Sequence, residues 1–252
     1  MPESTSCIVL KNINQRFGDK QVLTDISLTV PYGKIYGLLG PSGCGKTTTV
    51  KIMAGISEAS SGSVCVLGQA MPNLALMNRI GYMAQSDALY NLMTAGENLA
   101  FFGALYGMNS KKLTERILEV MALVNLSGDL TKVVGAYSGG MKRRLSLAMA
   151  LLHEPEVLIL DEPTVGIDPL LRKSIWDTLN AMAEQRGTTI LVTTHVMDEA
   201  EKCAELAMIR DGRLIAQGTP LQLRQNVGAS GIEEAFIIYG SGTERQEAQH
   251  AD

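Results

Sequence analysis

Apolar positions along the chain change their spacing several times. "CIVLKNINQRF" and "QVLTDISLTV" are short β-rich runs split by the turn "GDK". "KIYGLLG" is almost wholly apolar, the pattern of a buried parallel strand. It leads into "PSGCGKTTTVKIMAG", which reads as a loop followed by a helix. "GSVCVLG" and "RIGYMAQ" are further short strands. From Ala95 to about Leu126 the pattern turns helical, broken near "GMNS", with helical apolar spacing in "LEVMALVNL". A helix is expected from about Ser138 to His153, then a strand, "EVLILDEP", that ends in acidic residues. Asp168-Pro169 reads as an N-cap with proline at the first helical position, opening a helix that stops near Gly187. "TTILVTTH" is another buried strand, and "ELAMIRDGRLIAQG" is two strands about an Asp-Gly turn. The polar end, "GSGTERQEAQHAD", is expected to lack regular structure.

Strands alternating with helices predict an α/β fold, a mostly parallel sheet covered on both faces. The β-rich start and the helical middle read as attachments to that core. A length of 252 residues suits one large α/β domain or two modest ones. Hydrophobic residues at 46% and charged residues at 19% fit a globular protein. The mean hydropathy of +0.10 fits either a large core or a face covered by a partner. A net charge of -4 argues against nucleic-acid binding as the main business and against a polybasic membrane anchor. Cys7, Cys44, Cys65 and Cys203 form no C-x-x-C pair, so neither a metal site nor a disulfide framework is expected, and a reducing cytosol fits. The N-terminal residues lack a signal-peptide pattern, and no apolar run approaches the roughly 18 residues of a membrane span. A role at a membrane would need another chain to cross it.

The chemistry concentrates in a few places. "GPSGCGKT", Gly40 to Thr47, matches G-x-x-x-x-G-K-[ST] between an apolar strand and a helix. Its glycines let backbone N–H groups turn inward around phosphates, and the helix adds its positive end. Lys46 would reach the β and γ phosphates, and the Thr47 hydroxyl would ligate Mg²⁺. "VLILDE" places Asp161 at a strand end, suited to Mg²⁺, with Glu162 next to orient or deprotonate a water. A capping or surface acidic pair is the plainer reading of those two taken alone. His195 and Gln85 also end strands, where α/β sheets gather ligand groups. His195 would contact the γ-phosphate or the water, and the Gln85 oxygen would touch Mg²⁺ or the water. Structural roles are the alternative for both.

"GPSGCGKTT", Gln85, "YSGGM", "LILDEPTVGID" and His195 stand in the order seen in the ATPase subunits of ATP-binding cassette (ABC) transporters, and the chain resembles that family from about Cys7 to Gly228. "GTPLQLRQ" and "EEAFIIYG" are similar to the tail of its exporter-type members. The resemblance implies a phosphate-loop NTPase core with a mostly parallel sheet, an N-terminal antiparallel β subdomain and an inserted α-helical subdomain. It implies an ATPase domain over 1–228, with the helical subdomain at about 86–152, and a C-terminal extension over 229–252. It implies that Phe17 stacks on adenine, and that Gly40, Pro41, Ser42, Gly43, Cys44, Gly45, Lys46, Thr47 and Thr48 form the phosphate loop. Thr47, Gln85 and Asp161 would serve Mg²⁺. Glu162 would be the catalytic base, His195 a switch on the γ-phosphate, and Asp168 part of a loop at the subunit interface.

In that family Ser138, Gly139 and Gly140 face the ATP held by a second cassette. Two chains head to tail would then enclose two ATP molecules, as a homodimer or a mixed pair, and ATP would act as interface glue. The usual signature has Leu and Gln where this chain has Tyr137 and Met141. The "KRR" after Met141 would attract phosphate or form a solvated helix face. The uncharged stretch from Asn98 to Ser110 carries Leu99, Phe102 and Tyr106 at i, i+3, i+7 spacing, and suits ordinary burial or a groove for a short helix of a membrane subunit. The leading expectation is an ATP-hydrolysing subunit on the cytoplasmic face of the membrane, bacterial in type, driving transport through separate membrane subunits and favouring export. The alternatives are a soluble ABC-type ATPase acting on DNA or ribosomes, and a nucleotide-binding regulator without turnover.

Overall fold

The computed structural model describes residues 6–249. Two compact units divide the chain: 1–73 with 191–252, and 74–190.

The first unit begins with a long hairpin, β1 (Ser6–Phe17) and β2 (Lys20–Pro31). Leu23, Ile26, Leu28 and Val30 on β2 are buried while most residues between them are not, the mark of an antiparallel sheet with one face on a core. The ladder shifts register near Asn12 and Asp25, which both have φ near +50° and are joined by an Asn12 Nδ2 to Asp25 Oδ1 hydrogen bond of 2.7 Å. Asn and Asp tolerate that left-handed backbone, and the bulge sharpens the twist. β3 (Ile35–Leu39) is buried at every position. It feeds the loop that opens α1 (Lys46–Met53). β4 (Ser61–Val66) and β5 (Gln69–Ala70) then complete a sheet of order β2-β1-β4-β5.

The second unit holds β6 (Ile80–Met83), α2 (Ala95–Leu105), α3 (Ser110–Leu123), α4 (Gly139–Leu151), β7 (Val157–Asp161) and α5 (Pro169–Arg186). β6 and β7 pair in parallel, and β7 is buried throughout. Side chains start each helix. Thr94 and Glu97 form a capping box on α2, Asn109 caps α3, Ser138 caps α4, and Asp168 caps α5 ahead of Pro169. The buried Arg116 of α3 donates to Leu151 O (2.8 Å) and Leu152 O (3.1 Å), satisfying carbonyls at the end of α4.

The chain returns to the first unit along β8 (Thr189–Thr194), which is buried throughout. A short α6 (Met197–Ala200) leads to β9 (Glu205–Arg210) and β10 (Arg213–Gly218). The hairpin expected at Asp211-Gly212 is present, with φ of 49° and 74° as a two-residue primed turn requires. β9 runs parallel to β3. Last come α7 (Pro220–Val227), opened by a Thr219–Gln222 capping box, and α8 (Ile232–Gln249). The polar tail thus departs from expectation, because helix extends to Gln249 where no regular structure is predicted. Its Glu, Arg, Gln and Ala are good helix formers and no proline interrupts them. Residues 250–252 of that tail lie outside the described residues.

Candidate active site

In the first unit, buried β3 ends at Leu39 and the chain turns through Gly40 to Gly45 into α1. Gly45 is the N-cap of α1 at φ 107°, a conformation L side chains rarely adopt, and a Cβ there would sit 2.5 Å from Leu23 Cδ2. Gly40 is fixed by close approach instead. A Cβ on it would lie 2.3 Å from Ile209 O and 2.7 Å from Cys44 Sγ. Its N–H bonds Thr194 O at 3.3 Å, and the Gly212 N–H of the β9–β10 turn bonds Cys44 O at 3.1 Å. The loop is therefore braced by β8 and by the hairpin. Pro41, Ser42 and Gly43 are exposed at its tip, while Thr47 and Thr48 are half-buried.

Lys46 is buried, and its Nζ donates to Gly40 O (2.8 Å) and Pro41 O (3.0 Å), so the ammonium lies against the loop's own carbonyls. Burial pushes the Cys44 thiol above its ordinary pKa, although the Lys46 charge opposes this. The buried thiol packs close against Gly40. His195 is exposed directly after Thr194, whose carbonyl holds Gly40. Thr194 Oγ1 donates to the buried Glu199 Oε2 (2.8 Å) and accepts from Val196 N (2.9 Å), which sets the turn that carries His195. Phe17 ends β1 opposite Lys20 and is 57% exposed. Gly40→Ala cannot be absorbed by a flexible side chain, because its nearest neighbour is a backbone carbonyl. It is expected to destabilise the protein by about 1–3 kcal/mol, measured by thermal melting.

In the second unit, β7 delivers two carboxylates. Asp161 is fully buried at the strand end, and Glu162 is 8% exposed with φ 52°. A non-glycine residue in the left-handed region persists only where its surroundings hold it. Those surroundings centre on Arg143 of α4. Its Nη2 donates to Asp161 O and to Glu162 O (2.8 Å), and its Nη1 donates to Ala84 O (2.7 Å) and Gln85 O (2.9 Å). Asp87 Oδ1 stands 3.7 Å from Nη1 and accepts from Ser146 Oγ at 2.9 Å. Burial pulls the Arg143 guanidinium below its ordinary pKa, with Asp87, Asp161 and Glu162 opposing. The exposed Gln85 places its Nε2 at 3.4 Å from Glu162 Oε2. Three of the sequence candidates, Gln85, Asp161 and Glu162, are thus gathered around one guanidinium.

Ser138 and Gly139 are exposed at the start of α4, with Ser138 Oγ accepting from Met141 N at 3.3 Å. A Cβ on Gly139 would meet nothing within 4 Å. Tyr137, where the family signature has Leu, is buried and donates its hydroxyl to Asp129 O at 2.8 Å, anchoring the residue before the turn. Asp168 is exposed, and its Oδ1 accepts from Leu171 N at 3.0 Å. The "KRR" run does not form a solvated face. Lys142 Nζ bonds Asn91 Oδ1 at 2.9 Å, Arg143 is buried, and Arg144 Nη1 donates to Val124 O and Asn125 O beyond the end of α3. Arg143, Asp87 and Ser146 are the residues that sequence reading missed. The signal for Arg143 was its spacing, since Arg143, Leu147 and Leu151 recur every four residues and share the buried face of α4.

A glycine-braced loop opening a helix after a buried strand, with a second buried strand ending in two carboxylates, defines a nucleoside triphosphatase of the phosphate-loop class. Residues 23–165 match the family model described as ABC transporter. The chain is 42% identical over 237 residues to Nod factor export ATP-binding protein I of Burkholderia lata, covering 92% of this chain and 76% of that protein. Among solved structures, one described as an ATP-binding subunit of an ABC transporter superimposes with a TM-score of 0.85 at 26% identity, over 93% of this chain and all (100%) of that one. The dimeric bacterial ABC transporter cassette MJ0796 gives 0.79 at 25% identity, over 84% of this chain and 98% of that one. The chain belongs to the ABC transporter family, as one of its ATP-binding ATPase cassettes. No helix among the described residues is long and apolar enough to cross a membrane.

Proposed function

We propose that this chain is the ATP-hydrolysing subunit of an exporter, pairing with a second cassette around two ATP molecules and driving separate membrane subunits from the cytoplasmic side. The observation that carries this reading is the start of α4. Ser138 and Gly139 are exposed, and Gly139 has open space around it, at the N-terminus of a helix of 13 residues. Backbone N–H groups at such an end suit a phosphate. The chain already has a phosphate loop at Gly40 to Thr48, so a second phosphate-binding turn is accounted for by the nucleotide of a facing copy. The dimeric MJ0796 cassette and the export named for the Burkholderia lata relative support pairing and direction. The ATPase domain is taken as residues 1–228, its helical subdomain as about 86–152, and residues 229–252 as an extension.

In this reading Phe17 stacks on adenine and Lys46 neutralises the β and γ phosphates. Thr47, Asp161 and Gln85 offer the hard oxygen donors that Mg²⁺ takes when it arrives with phosphate. The ion would polarise the phosphate oxygens. Glu162 accepts the proton of the attacking water, His195 contacts the γ-phosphate, and Asp168 borders the facing copy. Loss of the γ-phosphate removes the shared contact and lets the pair part.

The membrane partner is assigned to an aromatic groove of the second unit. Leu99 is fully buried, so the ordinary packing role is filled, yet Tyr90 and Phe101 stay exposed, edge to face at 5.2 Å. Beside Phe102 and Tyr106 lies a cavity of 190 Å³, lined also by Tyr82, Met83, Ser146 and Met149. An amphipathic helix end would fill it. Affinity purification from detergent-solubilised membranes of the source organism is expected to recover an integral membrane subunit. Phe101→Glu is expected to lose that subunit while ATP turnover of the isolated chain stays within about two-fold, as a rim charge opposes docking without touching the nucleotide. Recovery of ribosomes or DNA in place of a membrane protein would overturn the transport reading.

A further inference from the structure

Arg143 lies five residues after Ser138, on the same helix, and is 6% exposed. Its planar fork joins three separate pieces of chain. One is α4 itself, the second is the end of β6 through Ala84 O and Gln85 O, and the third is the end of β7 through Asp161 O and Glu162 O. Its charge is fixed by Asp87, which Ser146 of the same helix also grips. A lysine in its place would have one nitrogen and could not span both strand ends, whereas a guanidinium presents five donors in a rigid plane. Two of the four acceptors flank the left-handed kink at Glu162, and a third is the carbonyl of Gln85, whose amide faces Glu162.

We propose that Arg143 is a positioning residue for hydrolysis, holding Glu162 and Gln85 in their working arrangement and tying them to the helix that begins at Ser138-Gly139-Gly140. The inference rests on the roles given above to Glu162 and to that helix start, and it deepens them. The turn that serves the nucleotide of the facing copy is thus linked, along α4 and through one guanidinium, to the base that serves the chain's own nucleotide. A shift of α4 on pairing therefore reaches both strand ends through a rigid link.

The test is a kinetic double-mutant cycle on the full chain with Mg²⁺ and ATP. Arg143→Lys keeps a cation beside Asp87 and loses the fork. It is expected to lower kcat roughly 10- to 100-fold, the scale of a small misplacement of reacting groups, with the affinity for ATP within about three-fold of wild type. In a Glu162→Gln background the same change is expected to lower the residual rate by no more than about two-fold, because the base it positions is already gone and only the hold on Gln85 is left to lose. A residue that merely stabilised the fold would reduce both backgrounds alike. Equal fold-losses in the two backgrounds, or wild-type kcat in Arg143→Lys, overturn the proposal. Melting temperatures guard against misfolding. If Arg143→Lys does not fold, Asp87→Asn loosens the guanidinium while leaving its carbonyl acceptors, and a roughly three- to ten-fold loss confined to the Glu162 background is expected. Wild-type turnover in Asp87→Asn would then overturn it. A wild-type chain that hydrolyses no ATP under any condition would instead remove the functional reading, and this inference with it.

Discussion

Glu162→Gln is expected to lower ATP turnover about 10²- to 10³-fold while leaving ATP binding intact, as general-base catalysis typically supplies that factor. The size follows from what the change removes. Gln matches Glu in volume and fills the same nearly buried site, so packing around the strand end is kept. Both can hydrogen-bond Gln85, which stands 3.4 Å from the carboxylate. What is lost is the ability to take a proton. A 10²- to 10³-fold loss corresponds to about 3–4 kcal/mol of barrier, well above the fraction of a kcal/mol that an isosteric swap at a strand end would move through structure alone. Bound ATP should then outlive the measurement, and the variant should elute as a pair in size-exclusion with Mg²⁺ and ATP. Phosphate release within two-fold of wild type would show that the base lies elsewhere.

The sequence carried most of the fold because its signals are local. "KIYGLLG" announced a fully buried strand, and Ile35–Leu39 is buried at every residue. Asp168-Pro169 and Asp211-Gly212 named a helix start and a hairpin turn that depend on only two residues each. The phosphate loop was legible for the same reason, as its spacing lies within eight residues. The spacing of Arg143 with Leu147 and Leu151 marked its burial, but its contacts were not legible, because its acceptors sit 58, 59, 18 and 19 residues away. No window along the chain contains them, and a cation between Lys142 and Arg144 looks like part of a solvated stripe. The bracing of the phosphate loop is hidden likewise, since Ile209 and Thr194 against Gly40 and Gly212 against Cys44 come from the far end of the chain. The α8 tail failed differently. Its composition is polar enough for a disordered end, and helix propensity was the signal to weigh against it.

Two variants that are each inactive are expected to restore activity when mixed. Lys46→Ala removes the cation from the phosphate loop, and Gly139→Asp places a carboxylate where the γ-phosphate of a facing copy would lie. The second change spares its own chain. A Cβ at Gly139 meets nothing within 4 Å, and an acidic side chain at a helix N-terminus is favourable to the helix. If loop and turn served the same chain's nucleotide, every chain in the mixture would carry one fatal lesion and nothing would recover. Head to tail, a mixed pair gathers both lesions into one composite site and leaves the other intact. Random pairing of equal amounts makes half the pairs mixed, so turnover should return to about a quarter of the wild-type rate, with each variant alone near background. The measurement is phosphate release after the chains have been equilibrated without nucleotide and then given Mg²⁺ and ATP. Recovery ties the Ser138-Gly139-Gly140 turn to the partner's nucleotide without any structure of the pair. A mixture no more active than the sum of its parts would return the turn to its own chain and remove the shared site for two copies of this protein.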